Sequence, residues 1–191
     1  GHHIHVPDIV HPCLADPTLI QSPDSIPYSI TVQLEMELKQ WTEYISATVE
    51  REEIRLQEAP TTITDPLDEI SFWRRRLHSL STLYEQLNTP NARRMIRVLE
   101  KYESSLLSGF NYQFSELEKR YVEAKDNVKY LSTLEKSLEP MYLGNPQAII
   151  DSLPSLMNNI KMMHTIARYY NTTERMTTLF RKITSKMIAN C

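Results

Sequence analysis

Glycine and cysteine are scarce in this chain of 191 residues, and the two shortages exclude several classes of protein. The three glycines stand far apart, at positions 1, 109 and 144, so no glycine-rich loop can wrap a phosphate group and no nucleotide site is expected. The two cysteines, Cys13 and Cys191, lie near opposite ends in no metal-ligand spacing. This usage predicts no disulfide framework and favours a reducing compartment.

Long apolar runs and a strong excess of one charge are missing as well. No stretch approaches the roughly 18 apolar residues that span a bilayer, and the first five residues lack the pattern of a signal peptide. The formal charge is −3 and the isoelectric point about 6.1, so neither nucleic acid nor a membrane is expected as a partner. The chain lacks an initial Met and ends inside a helical pattern, which predicts a piece cut from a longer polypeptide.

Proline is concentrated in the first part of the chain. Five of the eleven prolines fall within residues 1–27. Because proline lacks an N–H group and pushes the preceding residue toward extended geometry, residues 1–27 are predicted to form an extended arm or linker. A brief strand is expected near His2–Val6. We expect the arm to lie along the surface of a partner or of the helices that follow.

Apolar residues then recur at steps of three and four, which is typical of amphipathic helices. Residues 28–58 are predicted as a helix, from Ser29 to Gln57, that leads into a bundle, and Ala59–Thr64 as a linker. Asp65 is predicted to cap a helix that starts at Pro66. The apolar seam of that helix repeats every seven residues, as in bundles and coiled coils: Ile70, Trp73, Leu77, Leu80, Tyr84 and Leu87.

Residues 65–191 are predicted to form an incomplete helical bundle. A third apolar seam begins with Ala92, Met95, Leu99, Tyr102 and Leu106 and slips by one residue near Gly109. The segment is therefore either one very long helix or two helices joined at Gly109. Because an interior glycine costs only about 1 kcal/mol, one long helix with a kink there is favoured. That helix is expected to stop at Pro140.

The last third of the chain is divided by further cap and breaker signals. Asn145 is predicted to cap the next helix. Pro154 is expected to separate a short helix at 146–152 from a longer one at 154–170. The sequence Asn-Thr-Thr-Glu at 171–174 resembles a capping box that opens a final helix.

No segment shows the alternation of a strand bounded by hairpin signals, so essentially no sheet is expected. The predicted fold is all-α: an elongated bundle of long amphipathic helices with a Pro-rich extended N-terminal arm. Such one-sided helices need partner helices to be stable.

Histidines are the candidates for metal binding or catalysis. His2, His3, His5, His11 and Cys13 could ligate zinc, but a Pro-rich arm holds ligands poorly, so an expression tag or plain surface histidines are favoured. His78 and His164 have no Cys, Ser or carboxylate at the spacing of a nucleophile pair, which favours structural or surface roles over catalysis. We therefore predict no catalytic, cofactor-binding or metal-ligating residue, and no cofactor.

The densest basic groups are the candidate partner-contact residues: Arg74, Arg75, Arg76, Arg93, Arg94 and Arg97. They could contact an acidic partner. The alternative is a solvated bundle face on which they pair with Glu69, Glu85 and Glu100. Charge runs on helices usually mean no more than this, so the alternative is favoured.

Five blocks in order resemble the N-terminal tail of axonemal dynein heavy chains, and the outer-arm gamma type in particular. The resemblance covers about residues 41–190. Its five blocks are Pro66–Arg76, Leu83–Asn88, Tyr121–Glu135, Leu153–Met157 and Ile166–Met176. Examples are Glu-Ile-Ser-Phe-Trp within the first block and Tyr-Tyr-Asn-Thr-Thr-Glu-Arg-Met within the last. Residues 1–40 carry no such resemblance.

The resemblance implies a tail of successive helical bundles in the axoneme of a cilium or flagellum. In that family the tail joins heavy chains, carries intermediate and light chains, and docks on the doublet microtubule, so tubulin surfaces or neighbouring subunits are candidate partners of the arginines. ATP hydrolysis belongs to a distant AAA+ ring, so no enzyme activity is expected within these residues.

Two rival interpretations come from other classes. A stand-alone spectrin-like or coiled-coil adaptor should repeat about every hundred residues, and no internal repeat is found. A histidine-dependent metalloenzyme predicts metal by elemental analysis, and none is expected.

Overall fold

The computed structural model describes Ile4, His5 and Pro12–Asn190, with only the backbone of Pro12, Cys13 and Asn190. In this part of the chain the α-helices are α1 Pro12–Ala15, α2 Tyr28–Thr62, α3 Pro66–Leu87, α4 Pro90–Tyr102, α5 Leu107–Leu143, α6 Pro146–Ile166 and α7 Thr173–Asn190. No strand occurs among the described residues, so the all-α bundle prediction is confirmed. None of these helices is both long enough and apolar enough to cross a membrane.

The chain forms two compact units, each built from segments that are distant in sequence. Unit 1 comprises the described residues of 1–52 together with Ser79–Arg120. Unit 2 comprises Glu53–His78 together with the described residues of 121–191. The divisions drawn from sequence, after residue 27 and at 58–65, do not coincide with these units.

The core of unit 1 is lined by one face of each of its longer helices. Trp41 of α2 and Phe110 of α5 are each 1% exposed, and their ring centroids lie 6.4 Å apart. Tyr84 of α3 stacks on Phe114 of α5 at 5.7 Å. Aliphatic side chains fill the remainder: Leu34, Leu38, Ile45, Leu80, Leu83, Leu87, Met95, Leu99 and Leu117.

The proline-rich stretch packs against α4 in a series of short turns. Helix α1 and two 3-10 turns, Pro17–Leu19 and Pro23–Ser25, contact α4. Each of these three elements starts at a proline, because the fixed φ of proline suits the first position of a turn or helix. Ile20 and Ile26, which follow the two turns, are buried. The described part of the stretch therefore forms short turns that pack on α4 and does not form an extended arm.

The strand expected near His2–Val6 falls mostly outside the described residues. Ile4 and His5 have no strand geometry. The backbone N–H of Ile4 donates to Oε1 of Gln86 at 2.8 Å, and the His5 carbonyl accepts from Nε1–H of Trp41 at 2.8 Å. Side chains of unit 1 therefore satisfy this backbone.

Helix α2 extends into the segment predicted as a linker at 59–64. Pro60 lies inside the helix, which ends at Thr62. The threonine hydroxyls at 61 and 62 both donate to the Glu58 carbonyl, at 2.9 and 3.1 Å, and the Ile63 N–H donates to Ala59 at 3.0 Å. A proline near the end of a helix removes only one backbone bond, and these contacts offset the loss.

The prediction of one long helix kinked at Gly109 is wrong. Helix α4 ends at Tyr102, and Glu103 adopts a left-handed conformation with φ 62° and ψ 45°. The Ser104 N–H donates to the Leu99 carbonyl at 3.0 Å, which is the six-to-one bond of a Schellman cap. The Ser104 hydroxyl then accepts from the Leu106 N–H at 3.3 Å. Gly109 lies inside α5.

The stops predicted at Pro140 and Pro154 are also wrong. Both prolines lie inside helices, Pro140 in α5 and Pro154 in α6. Pro154 and Ile150, whose carbonyl loses its partner, lie on the exposed side of α6, where water can replace the lost bond. Helix α5 ends instead near Gly144, whose φ of +69° favours glycine.

The predicted cap residues Asp65 and Asn145 are confirmed, and the last helix starts within the predicted Asn-Thr-Thr-Glu segment, where Thr172 is the cap. Asp65 Oδ1 accepts from the Leu67 N–H at 2.8 Å. Asn145 accepts from two backbone N–H groups at the start of α6, and the Thr172 hydroxyl accepts from the Arg175 N–H at 3.3 Å. These short polar side chains satisfy N–H groups that a helix start leaves unpaired.

The buried face of α3 differs from the predicted seam at two positions. Ile70, Trp73, Leu80 and Leu87 are buried as expected, but Leu77 and Tyr84 are only half-buried. Arg76 and Leu83 take the buried positions beside them. Two successive steps of three residues, from 70 through 73 to 76, place an arginine on the buried face.

Candidate functional site

An open cleft in unit 2 is bordered by the last turns of α2 and the first turns of α3 and α7. Its volume is about 370 Å³. Its wall combines aromatic rings, among them Trp73 and Tyr169, with carboxylates and two cations, Arg175 and Lys182. This mixture makes the cleft the first place to look for chemistry.

A polar network centred on Glu69 forms the inner wall of the cleft. Glu69 lies in the first turn of α3 and is 8% exposed. Its Oε1 accepts from the Tyr170 hydroxyl, and its Oε2 accepts from Nζ of Lys182 at 3.1 Å. The Tyr170 oxygen in turn accepts from Nε1–H of Trp73 at 3.0 Å. The network therefore joins α3, α7 and the loop before α7.

Electrostatics keep the tyrosine of this network protonated. Burial raises the pKa of the Tyr170 hydroxyl, and the negative charge and hydrogen bond of Glu69 raise that pKa further. Burial likewise raises the pKa of the neighbouring Tyr169. Because both Glu69 oxygens already have donors, this carboxylate is poorly placed to act as a general base, and the arrangement stabilises the fold.

A second polar cluster connects the start of α3 to α5 and α7. Asp65 accepts from the Tyr142 hydroxyl at 2.9 Å and forms an ion pair with Nζ of Lys186 at 3.3 Å. Burial alone would raise the pKa of Asp65, but the Leu67 N–H, the Tyr142 hydroxyl and Lys186 together hold that pKa below its usual value. Burial, with the adjacent Asp65 charge, raises the pKa of Tyr142. Like the Glu69 network, this cluster ties helices to each other.

The first arginine group, 74–76, is largely occupied by carboxylates of unit 2. Arg74 is paired with Glu135 at 2.8 Å. Arg76 has a side chain only 1% exposed, pairs with Glu53 at 2.9 Å, and lies over the Trp73 ring at 5.7 Å. The expectation that Arg76 faces a partner is therefore corrected, because the α3 seam carries it inward. Arg75 remains exposed.

The second arginine group lies on α4 and has a different environment. Arg97 is exposed, and Arg93 and Arg94 are half-buried. Arg94 donates to the side chain of its helix neighbour Asn91. Among the described residues, no carboxylate lies within ion-pair distance of these three guanidinium groups. The pairings expected with Glu69, Glu85 and Glu100 are not seen among the described residues, while Arg74, Arg75 and Arg97 lie exposed to solvent.

The candidate metal and catalytic histidines lie apart where they are described. His5 Nδ1 is 3.0 Å from Glu37 Oε1. His2, His3, His11 and the Cys13 side chain fall outside the described residues. His78 and His164 are exposed on α3 and α6. Over the part of the chain that is described, His, Cys, Asp and Glu form no group suited to a metal ion.

Sequence reasoning missed the buried polar residues. Asn127 of α5 is 1% exposed, and its Nδ2 finds no partner among the described residues. The links from Glu69 to Lys182 and from Asp65 to Lys186 each span more than a hundred positions. No local pattern could have revealed these links, because each joins residues from distant helices. The sequence shows only that the four charged residues are present.

The described structure is that of an all-helical bundle protein in which buried polar residues connect helices. The family described as "Dynein heavy chain, N-terminal region 1" matches residues 31–191. This chain belongs to that family.

Curated relatives carry the same relationship. The chain is 42% identical over 156 residues to the Dynein-1-alpha heavy chain of the flagellar inner arm I1 complex of Chlamydomonas reinhardtii. It is 40% identical over 126 residues to dynein axonemal heavy chain 5 of Rattus norvegicus, and 40% over 129 residues to the dynein gamma chain of the flagellar outer arm of Chlamydomonas reinhardtii.

The aligned segments cover 81%, 66% and 66% of this chain, in that order. The chain spans only 3%, 4% and 3% of the relatives' own lengths. The resemblance to axonemal dynein heavy chains is thereby confirmed. Inner-arm and outer-arm chains match at nearly equal identity.

Proposed function

We propose that this chain is a tail segment of an axonemal dynein heavy chain that joins heavy chains and binds intermediate and light chains. Through these contacts it supports docking of the motor to the doublet microtubule of a cilium or flagellum. The observation that carries the proposal is the family match over residues 31–191. ATP hydrolysis and movement along microtubules would belong to parts of a longer heavy chain outside these residues.

The structure supports a binding role over a catalytic one. The most buried carboxylate of the unit 2 cleft, Glu69, is bonded through both oxygens, to Tyr170 and to Lys182. Unit 2 also exposes large apolar side chains on α6 and α7, such as Ile150 at 58% and Ile188 at 78%. Single exposed apolar residues are common on protein surfaces, but neighbouring ones that form a patch are typical of surfaces that contact other proteins.

The proposal is tested by measuring which proteins the chain retains. The tagged chain is incubated with axonemal intermediate chains, with light chains and with the matching region of a second heavy chain, and each mixture is separated by size-exclusion chromatography with light scattering. A spectrin-repeat bundle of similar length and charge serves as the control. We expect the tagged chain to co-elute with at least one tail component and not with the spectrin bundle.

A monomer that ignores every tail component would contradict the proposal. Binding of the spectrin bundle as strongly as the tail components would favour the stand-alone adaptor instead.

A further inference from the structure

Helix α4 carries a row of cations that form no ion pair with the described acidic residues of unit 1. Arg93, Arg97 and Lys101 follow one another at intervals of four residues, so they lie on one face about 6 Å apart along the helix axis. Arg94 adjoins this row. Arg97 and Lys101 are exposed, and Arg93 and Arg94 are half-buried. The opposite face of α4 is buried through Met95 and Leu99.

Nearby acids do not neutralise this row in the described structure. The turns that contact α4 contain Asp16 and Asp24, but Asp16 uses its carboxylate on the N–H and hydroxyl of Thr18. Glu100, at the edge of the same face, forms no ion pair with a described residue. The comparison with Arg74 and Arg76, which are both paired inside unit 2, shows that this protein can supply carboxylates where it uses arginines structurally.

We propose that the face of α4 formed by Arg93, Arg94, Arg97 and Lys101 binds an acidic helical segment of a partner protein. The 6 Å spacing of the row matches glutamates placed at every fourth position of a facing helix. Arginine forks add bidentate contacts to carboxylates. This inference rests on the proposed tail function, for which it gives the chemistry of one partner surface. It is tested with this chain and a synthetic peptide, without other dynein components.

A protein partner fits this face better than a nucleic acid. The whole chain carries a formal charge of −3, which repels a polyanion over most of its surface. Glu100 and Glu103 flank the cations at the C-terminal end of α4, where a continuous phosphate backbone would meet them. A helix can place apolar or basic residues opposite those positions.

The test is fluorescence anisotropy with a labelled alanine-rich peptide of about 20 residues, long enough to form helix, that carries glutamate at every fourth position. The same peptide with glutamine is the reference probe. We expect the chain to bind the glutamate peptide and not the glutamine peptide, with an affinity that falls as salt is raised. The substitutions Arg93→Gln and Arg97→Gln together should weaken binding about tenfold.

Matched variants separate this surface from net charge. Lys129→Gln with Lys136→Gln removes the same charge from exposed positions of α5 and should leave the dissociation constant unchanged. Arg93→Lys with Arg97→Lys keeps the charge but loses the bidentate contacts, so it should weaken binding less than the glutamine substitutions do. Thermal melting of each variant verifies that folding is intact, and the salt dependence is read on the unsubstituted chain in any case.

Three results would overturn the inference: equal affinity for the glutamine peptide, an equal loss in the α5 variant, or tighter binding of a single-stranded oligonucleotide of the same charge. None of these results bears on co-elution with dynein tail components. Failure of the α4 proposal and failure of the proposed function are therefore distinguishable.

Discussion

Glu69 and Lys182 are 113 positions apart in sequence, yet Nζ of the lysine lies 3.1 Å from Oε2 of the glutamate. Both side chains are almost enclosed, at 10% and 12% exposure, so the pair is shielded from water and salt. The Tyr170 hydroxyl occupies the other glutamate oxygen. Removal of the lysine alone would leave a carboxylate in a site that solvent reaches poorly.

We expect Lys182→Met to lower the free energy of unfolding by about 2–3 kcal/mol, since loss of one partner leaves a desolvated charge behind. Urea denaturation at neutral pH measures this change. Lys119→Met is the control, because Lys119 pairs with Glu116 at the surface with 66% of its side chain exposed. That change should stay within about 0.5 kcal/mol. Equal effects at both positions would contradict the structural role of the Glu69 network.

Two adjacent arginines of α3 should respond very differently to truncation. Arg76→Ala removes a buried guanidinium from Glu53 and from the Trp73 ring, and should lower the free energy of unfolding by about 3 kcal/mol. Arg75→Ala, at an exposed position, should change it by less than about 0.5 kcal/mol. Chemical denaturation of the two variants in parallel distinguishes the buried from the exposed position. Similar values would show that Arg76 is not part of the core.

Glu103→Gly tests whether the helix is interrupted between α4 and α5. The left-handed conformation of Glu103 strains an ordinary side chain but suits glycine, so this change should stabilise the protein by about 1 kcal/mol. A continuous helix through this point predicts the opposite sign, since glycine in a helix interior costs about 1 kcal/mol.

The matched reference for Glu103→Gly is Gly144→Ala, which should destabilise the protein by about 1 kcal/mol because Gly144 also has a positive φ. Thermal and urea unfolding of both variants measure the two signs. If Glu103→Gly destabilises the protein instead, the result would favour the prediction of one long kinked helix.

Asp65→Asn should remove part of the acid sensitivity of stability. The pKa of Asp65 is held below its usual value of 3.8, so the stability that the Asp65 charge contributes is present above that pH and is lost as the pH falls through the lower folded-state pKa. The amide can still accept the Leu67 N–H, so the cap persists while the ion pair with Lys186 is lost. We expect a loss of about 0.5–1 kcal/mol at pH 7 that shrinks toward zero as the pH falls below 3.8 and Asp65 becomes protonated in the folded protein.

The free energy of unfolding of wild type and Asp65→Asn, measured by urea from pH 7 down to the acid limit of folding, gives this difference. Asp24→Asn, at an exposed position, is the control and should show no such trend. A difference that is constant with pH would mean that the Asp65 charge does not contribute.

Local signals in the sequence predicted the helices and most of their beginnings. Asp65 and Asn145 each cap a helix as expected, and Thr172 caps the last helix within the predicted Asn-Thr-Thr-Glu segment, because a cap requires only a short polar side chain beside the first turn. The breaker signals were less reliable. Pro60, Pro140 and Pro154 all lie within helices, since a missing backbone bond is tolerated near a helix end or on a face open to water.

The arginine groups show why candidate surface residues could not be sorted in advance. From composition, 74–76 and 93–97 are equivalent basic runs. The side-chain exposures separate them, because the turn of α3 carries Arg76 inward to Glu53 while α4 keeps Arg97 outside. Pairing partners such as Glu53, Glu135 and Lys182 come from other helices, at separations that periodicity does not encode.

By itself, therefore, the sequence determined an all-helical chain without a phosphate loop, its capped helix starts, and its dynein tail resemblance, since each depends on residues close together or on their order. Only the tertiary structure decided where α4 ends, which arginines are buried, and which acids meet which bases. Those outcomes depend on the packing of segments from distant parts of the chain, and free energies of a few kcal/mol per buried group choose between local alternatives that the sequence leaves nearly equal.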